Sequence, residues 1–267
     1  MQDNSHLYLN LINEFNLKED DILFLSSDVS QLAKYFKSQG TSFDPNVLID
    51  LLQQHLSQGT IIIPAFTDLL KNGGEFDWNK SKPTTGALSN RVMKRKDFIR
   101  TEDVLHSVFV WGKHQTEIVA LQDESTFGLK SIFGFMEHHP VKMVIIDVHF
   151  QNSFTYVHYI EEKRKVNYRK AYHWTVSFRK NGEISSKNVL FYTKRWGVET
   201  NLTQLQEQLI SKGIVEQKNV HGISLLMLDV AETGREIENY LNNGGKTHEF
   251  KLFLWFKCFV KALIGRK

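Results

Sequence analysis

The chain has 267 residues, of which 41% are hydrophobic and 24% charged, a balance that is ordinary for a globular protein. Its 33 basic and 30 acidic residues nearly cancel, so bulk charge does not predict nucleic-acid binding. Cys258 is the only cysteine, which excludes an intrachain disulfide and a cysteine-based metal cluster. Residues 1–10 are polar and lack a secretory signal pattern, so we expect a cytoplasmic protein.

The first half of the chain predicts strands that alternate with helices. The predicted helices there are Asn10 to Leu17, Val29 to Ser38, Pro45 to Leu56 and Asn90 to Lys96, and the predicted strands are Ile22 to Leu25, Thr60 to Pro64 and Val108 to Trp111. Pro45 occupies the first position of the clearest helix, where Asp44 can act as the N-cap. Asp68 to Ser89 predicts a long excursion punctuated by Gly and Pro.

The second half continues this alternation and adds a hairpin. Its predicted elements are a short helix or loop at Ser125 to Met136, a strand at Val141 to Val148, a helix at Asn152 to Lys163, hairpin strands at Tyr172 to Arg179 and Val189 to Tyr192, a helix at Leu202 to Lys212, a strand at Ile223 to Leu228 and a helix at Val230 to Asn242. We therefore predict an α/β fold with a central mixed β-sheet sandwiched by helices, the hairpin favouring a mixed over a parallel sheet. Residues 1–245 are expected to form one domain, followed by a tail at 246–267.

A histidine and a glutamate follow the strand predicted at Val141 to Val148. Thr155, His158 and Glu161 are spaced i, i+3 and i+6, so on a helix they project from one face. A carboxylate beside an imidazole fixes its tautomer, which makes His158 a candidate general base oriented by Glu161. Thr155 and Asn152 add donors for a carbonyl oxygen. The same spacing is also common on solvated helix surfaces. The surrounding motifs therefore have to decide between a catalytic pair and an ordinary surface pair.

The pattern Asn152, Thr155, His158, Glu161 resembles the N-T-x-x-H-x-x-E motif of the aminoglycoside 3-N-acetyltransferase-like family, with two residues between Asn and Thr here. Further segments match motifs of the family in the same order, namely Ser26-Ser27, Pro64-Ala65-Phe66-Thr67, Phe76-Asp77, Thr85-Gly86-Ala87-Leu88, Leu105-His106-Ser107 and Phe127-Gly128 with Ser131. Each motif is weak alone, and their shared order from about Asp21 to Asn242 is what makes the resemblance specific. The chain departs from the family at Asp147, where glycine is usual.

The resemblance implies an acyl-CoA-dependent N-acyltransferase, in which the amine of an amino sugar attacks the thioester of acetyl-CoA or another acyl-CoA directly. It implies that His158 is the base, with Glu161, Thr155 and Asn152 completing the catalytic group. The residues it suggests for coenzyme A are Ser26, Ser27, Arg91, Arg100 and Ser107, and those for the acceptor are His106, Asp68 and Phe66. Helix capping by the two serines and a solvated position for the arginines are the alternative interpretations.

The acceptor and the catalytic competence stay open at this stage. A polycationic aminoglycoside would favour an acid-lined site, for which the candidates are Asp68, Asp77, Glu102, Asp103, Asp123 and Glu124. The basic runs Lys94 to Lys96 and Lys163 to Lys165 would suit a nucleotide-linked amino sugar better. A third interpretation is a relative that binds without catalysis. We expect no metal, because His138, His139 and His149 lack spacing of the H-E-x-x-H kind.

The tail at 246–267 combines six basic residues and one acidic residue with many large apolar ones. Its longest apolar stretch, Phe250 to Ile264, contains three lysines and is too short to span a bilayer. The composition predicts a helix that lies on an anionic membrane surface or docks onto the body or a partner subunit. Membrane binding would favour cell-surface polysaccharide assembly over drug resistance.

Overall fold

The computed structural model describes residues 4–67 and 73–264. The strands are β1 (Ile22–Ser27), β2 (Thr60–Pro64), β3 (Glu75–Asp77), β4 (Ile99–Arg100), β5 (Val108–Gly112), β6 (Val141–Ile146), β7 (Arg169–Lys180), β8 (Glu183–Lys194), β9 (Val198–Thr200), β10 (Val215–Val220), β11 (Ile223–Asp229) and β12 (His248–Phe250). The helices are α1 (Ser5–Asn13), α2 (Ser30–Ser38), α3 (Pro45–His55), α4 (Ala87–Val92), α5 (Gln115–Val119), α6 (Ile132–His138), α7 (Phe150–Ser153), α8 (Tyr156–Lys163), α9 (Thr203–Ser211), α10 (Val230–Asn242) and α11 (Leu252–Ile264).

A seven-stranded mixed sheet, in the order β10-β11-β6-β1-β2-β5-β4, separates two layers of helices. β1 pairs in parallel with β2 and β6, and the remaining neighbours are antiparallel. Alternate residues of β1 enter different hydrophobic clusters, since Ile22 faces one and Leu23 the other. Helices α1 to α4 contribute to the cluster that contains Leu23, and helices α5 to α10 contribute to the cluster that contains Ile22. The predicted fold class is confirmed.

The predicted hairpin is present, but it belongs to a second sheet. β7 and β8 pair antiparallel up to Lys180 and Glu183, around a turn in which Asn181 and Gly182 have φ of +52° and +90°. Positive φ at both positions is the conformation that an Asn-Gly hairpin turn requires. β3 pairs in parallel with β7, so three strands form this sheet. The expectation that the hairpin makes the central sheet mixed was wrong; β4, β5, β10 and β11 do so.

Several predicted helix boundaries are corrected. α1 lies earlier in the chain than Asn10 to Leu17, and α4 earlier than Asn90 to Lys96. The single helix predicted at Asn152 to Lys163 is divided into α7 and α8 at Phe154, whose ψ of 62° is not helical. The rings of Phe150 and Phe154 are buried and stack at 4.7 Å, so aromatic packing outweighs helical continuity there.

The chain continues past α10 into β12, which pairs antiparallel with β9, and then into α11. Several large apolar side chains of α11 face solvent, and Phe253 is 78% exposed. Within the described ranges, every helix is too short or too polar to cross a lipid bilayer.

Candidate functional site

The carboxyl ends of β1 and β6 lie side by side, with Ser27 opposite Ile146. Asp147 follows β6 with φ of +53°, in the left-handed region that glycine adopts most easily. This conformation favours the glycine that the resemblance implies at this position. Here the Asp147 carboxylate accepts a hydrogen bond from the amide of Ser224 at 2.9 Å. The turn directs the chain from the sheet into α7 and α8.

His158 and Glu161, one turn apart on α8, form the centre of the site. The distance between His158 Nδ1 and Glu161 Oε2 is 2.8 Å. Glu161 is only 1% exposed, whereas the side chain of His158 is 20% exposed. Thr155 lies immediately before α8 and Asn152 is exposed on α7. The His158 amide donates to the Thr155 carbonyl oxygen at 3.0 Å. Among the described residues, neither the Thr155 nor the Asn152 side chain is hydrogen-bonded to His158 or Glu161, the pair that we call the dyad.

Arg169, the first residue of β7, is a member of the site that the sequence analysis missed. Its Nε lies 2.6 Å from Glu161 Oε2. Its Nη2 lies 2.6 Å from Nδ1 and 3.1 Å from Nε2 of His158. An atom this close to both ring nitrogens lies over the face of the imidazole and not along the in-plane N–H direction. Nδ1 can therefore donate to Glu161 while the guanidinium covers the ring.

The other oxygen of Glu161 is bound by two hydroxyl groups. Thr247 Oγ1 lies 2.7 Å and the Tyr168 hydroxyl 3.0 Å from Oε1, and the two hydroxyls are 2.8 Å apart. Thr247 is fully buried, and the ring of Tyr168 stacks on His248 at 3.5 Å. Thr247, the second residue of the segment assigned to the tail from sequence, thus contacts the dyad.

These contacts set the charges of the dyad. Burial lowers the pKa of His158, and the nearby Arg169 charge lowers it further, while the hydrogen bond to Glu161 acts in the opposite direction and is outweighed. Burial raises the pKa of Glu161, but the bond to His158 and the charge of Arg169 outweigh it and lower the pKa to about 2. The result at neutral pH is an unprotonated imidazole beside a carboxylate.

Aromatic rings connect His158 to His106. The ring centroid of Phe127 lies 5.8 Å from that of His158, with the two rings nearly perpendicular, and 4.9 Å from that of His106. Phe66 packs against His106 at 4.7 Å. The Thr126 hydroxyl donates to Asp103 at 2.6 Å, so it accepts the proton of His106 Nδ1 at 2.9 Å. The structure thus brings His106 and Phe66 together, close to the dyad.

Two cavities lie near this aromatic group. The acidic cavity, of about 410 Å³, contains His106 and Thr126 in its wall. Its charged lining residues are Glu102, Asp103, Asp123, Glu124, Lys130 and Lys187. The basic cavity, of about 680 Å³, includes Phe127 in its wall. Its charged lining residues are Glu162, Lys163, Lys165, Arg169, Lys170 and Arg195. His158 itself lines neither cavity and lies beside Phe127, between them.

The residues suggested for coenzyme A separate into two groups. Ser26 and Ser27 lie at the end of β1, and a Cβ on Gly86, where φ is +108°, would lie 3.4 Å from the Ser27 carbonyl oxygen. Arg91 is exposed on α4, the helix that begins after Gly86. These positions share the carboxyl edge of the sheet.

Arg100 and Ser107 are buried in the protein instead. Arg100 donates to Ser107 Oγ at 3.0 Å and to the carbonyl oxygens of Ser81 and Ala65 at 2.6 and 2.9 Å. Ser107 donates to the Ala65 carbonyl. The predicted phosphate contact of Arg100 is corrected, because its guanidinium is committed to protein acceptors. Asp68, suggested for the acceptor, lies outside the described residues.

The family described as aminoglycoside 3-N-acetyltransferase matches residues 32–242. Three solved structures share the fold. They are AAC-IIIb in a binary complex with CoASH (TM-score 0.74, 15% identity, covering 91% of this chain and 97% of that one), AAC-VIa bound to sisomicin (0.73, 14%, 90% and 98%) and the YokD protein from Bacillus subtilis (0.70, 16%, 90% and 98%). No curated protein sequence matches significantly. Because the family match covers well over half of its length, the chain belongs to the aminoglycoside 3-N-acetyltransferase family, whose members are acyl-CoA-dependent N-acyltransferases.

Proposed function

We propose that the chain transfers an acetyl or similar acyl group from coenzyme A to the amine of an amino sugar, with His158 as general base. One observation carries this proposal: the His158 imidazole contacts both a buried carboxylate, Glu161, and the guanidinium of Arg169, in surroundings that lower its pKa. A base that accepts a proton near neutral pH is what amine acylation requires. The cytoplasmic location expected from the sequence stays a prediction.

We propose a separate role for each ring nitrogen of His158. Nδ1 donates to Glu161, so Nε2 is the atom that takes the proton as the amine nitrogen bonds to the thioester carbon. Glu161 stabilises the imidazolium until the carbon–sulfur bond breaks and Nε2 returns the proton to the departing sulfur. The oxyanion formed in between needs hydrogen-bond donors, for which Thr155 and Asn152 stay candidates.

For coenzyme A we propose the edge formed by Ser26, Ser27 and Arg91. The two serine hydroxyls make no recorded hydrogen bond to any described residue, although both side chains are largely buried. Gly86 leaves room beside Ser27 that a side chain would fill. Two hydroxyl donors and one exposed guanidinium suit a ligand with phosphate groups.

The acidic cavity favours an aminoglycoside as acceptor. It gathers four of the six acidic residues proposed from sequence, namely Glu102, Asp103, Asp123 and Glu124. Two lysines, Lys180 and Lys187, neutralise Glu102 at 2.8 Å each, which leaves the other three carboxylates to attract a polycation. Asp77 lies elsewhere and accepts from the amide of Asn79.

The basic cavity supports a second candidate, a nucleotide-linked amino sugar used in surface polysaccharide synthesis. Five basic side chains and one acidic side chain line it, and Arg169 connects it to the dyad. Such a surplus of positive charge suits a diphosphate. An inactive binding relative is disfavoured because the histidine and the carboxylate are both present and in contact.

His158→Ala is expected to lower turnover by about two to four orders of magnitude, because it removes the proton acceptor. Thiol release from acetyl-CoA measures turnover, and calorimetry measures coenzyme A binding, which should persist. His173→Ala, an exposed histidine on β7, is the matched control and should be fully active. Near-normal turnover by His158→Ala would refute the base assignment.

A thiol-release panel of aminoglycosides and nucleotide-linked amino sugars identifies the acceptor class. If the acidic cavity holds the acceptor, Glu124→Gln should raise KM for an aminoglycoside about twofold to fivefold, the size expected for an exposed charge pair. Lys170→Gln, in the basic cavity, should leave it unchanged. If Lys170→Gln raises KM for a nucleotide-linked amino sugar and Glu124→Gln does not, the second candidate is supported. If neither class of acceptor causes thiol release, a binding protein is supported.

Arg169→Gln is expected to move the acid limb of the pH profile of kcat/KM to higher pH. The positive charge lowers the pKa of His158, so its removal raises that pKa, and the base becomes protonated at a higher pH. Arg169→Lys keeps the charge and should shift the limb less. Circular dichroism must show that the variant folds, since breaking a buried ion pair costs about 3–5 kcal/mol. An unmoved limb in a folded variant contradicts this role.

We also propose that α11 lies on an anionic membrane surface. Its solvent-facing row of large apolar side chains consists of Leu252, Phe253, Phe256, Phe259 and Val260. Lys257 and Lys261 are exposed on the same helix, in position to meet acidic headgroups while the apolar row enters the interface.

Deletion of residues 252–267 is expected to abolish co-sedimentation with vesicles that contain an acidic phospholipid. The deletion begins at Leu252 so that Thr247 keeps its bond to Glu161 and β12 keeps its pairing. Full-length protein should pellet with acidic but not with zwitterionic vesicles, and less so at high salt. Equal pelleting of the two proteins rules out membrane binding through α11, and a change in solution mass on deletion instead identifies a subunit contact.

A further inference from the structure

Two histidines and a glutamate converge at the edge of the central sheet opposite the dyad. His114 directly precedes α5, Glu117 lies one turn later, and His139 directly follows α6. The end of β5 and the start of β6 lie at this edge of the sheet. Gly112, the last residue of β5, pairs there with Thr60, the first residue of β2. The dyad follows the other end of β6, so these three residues have no part in the proposed acyl transfer.

One potential ligand atom from each of the three side chains lies within 4.8 Å of the others. His114 Nδ1 is 2.8 Å from one Glu117 oxygen, and His139 Nε2 is 3.5 Å from the other. Ligand atoms around a tetrahedral zinc ion, with bonds of about 2.1 Å, are about 3.4 Å apart. The three groups are therefore close to the separations that one ion would impose.

The ring of His139 is held in the orientation a metal ligand needs. Its Nδ1 donates to the carbonyl oxygen of Phe135 at 2.9 Å, which fixes the tautomer and leaves Nε2 with its lone pair directed towards Glu117. The ring also stacks on Phe135 at 3.8 Å. A backbone carbonyl that binds the outer nitrogen is the usual support for a ligating histidine. An ordinary surface ion pair does not require this support.

The backbone of His114 is fixed as well. Its amide donates to Thr60 Oγ1 at 3.0 Å, which ties the start of α5 to β2. His114 and His139 face each other with ring centroids 5.6 Å apart. Both histidines are only partly exposed, whereas Glu117 is 51% exposed, so the site is open to solvent on the carboxylate side.

We propose that His114, Glu117 and His139 bind one divalent transition-metal ion, with zinc the best match to two imidazoles and a carboxylate. Water would complete the coordination on the exposed side. The ion would link α5 to the segment between α6 and β6, which otherwise meet through side-chain packing. Because the ion binds the folded chain, its effect is to stabilise the native state.

The test uses tag-free full-length protein freed of metal with a chelator. Zinc is titrated in competition with a chromophoric chelator, and thermal unfolding is followed with and without zinc. We expect one ion per chain and a higher Tm with zinc. Glu117→Gln and His139→Ala should each weaken zinc binding by at least about tenfold and remove the Tm increase.

His138→Ala is the matched control, because His138 is adjacent in sequence and 69% exposed, and it should bind zinc like the wild type. Glu117→Gln keeps the inference testable if His139→Ala is destabilised by the loss of its ring stack. Absence of zinc binding, or binding that none of the ligand variants weakens, overturns the proposal. Acetyl transfer is not the readout, so failure here leaves the proposed function untouched.

Discussion

A carboxylate without access to water must be neutralised and hydrogen-bonded inside the protein, since a lone buried charge is among the most costly features a fold can contain. Glu161 is such a group. Its four partners come from three parts of the chain: His158 on α8, Tyr168 and Arg169 at the start of β7, and Thr247 before β12. The site can form only when the helix, the hairpin and the C-terminal segment are all in place, and the same contacts that charge the dyad hold these elements together.

The arrangement places two opposite charges against one imidazole, with Glu161 at Nδ1 and the Arg169 guanidinium over the ring. Glu161 alone would favour protonation of His158 and leave less of the imidazole free to accept a proton at neutral pH. Arg169 and burial act against this, so the histidine keeps an orienting carboxylate and still stays unprotonated. The carboxylate can then stabilise the imidazolium when the proton is taken up. Glu161 on the helix thus orients the ring and raises its pKa, and Arg169 on the neighbouring strand lowers that pKa.

This division explains what could be predicted from the sequence. The contact between His158 and Glu161 is local, because helical geometry fixes residues three apart, and the pattern predicted it correctly. The buried strands were also predicted from local sequence, because each of them contains a continuous run of apolar residues. Arg169 and Thr247 carried no signal, because their positions depend on how the hairpin and β12 pack, and neither is near the dyad in sequence. Arg100 was misjudged because its burial depends on the tertiary structure.

The three histidine and glutamate ligands at the opposite edge illustrate the same limit. His114 and Glu117 have a local spacing, but the third ligand follows a different helix, so no continuous motif could predict it. The tail gives the converse case. A boundary at residue 245, drawn from composition, would separate Thr247 from Glu161 and β12 from β9. The contacts instead favour a division after Lys251, because the segment before it contacts Glu161 and pairs with β9, and only α11 follows it.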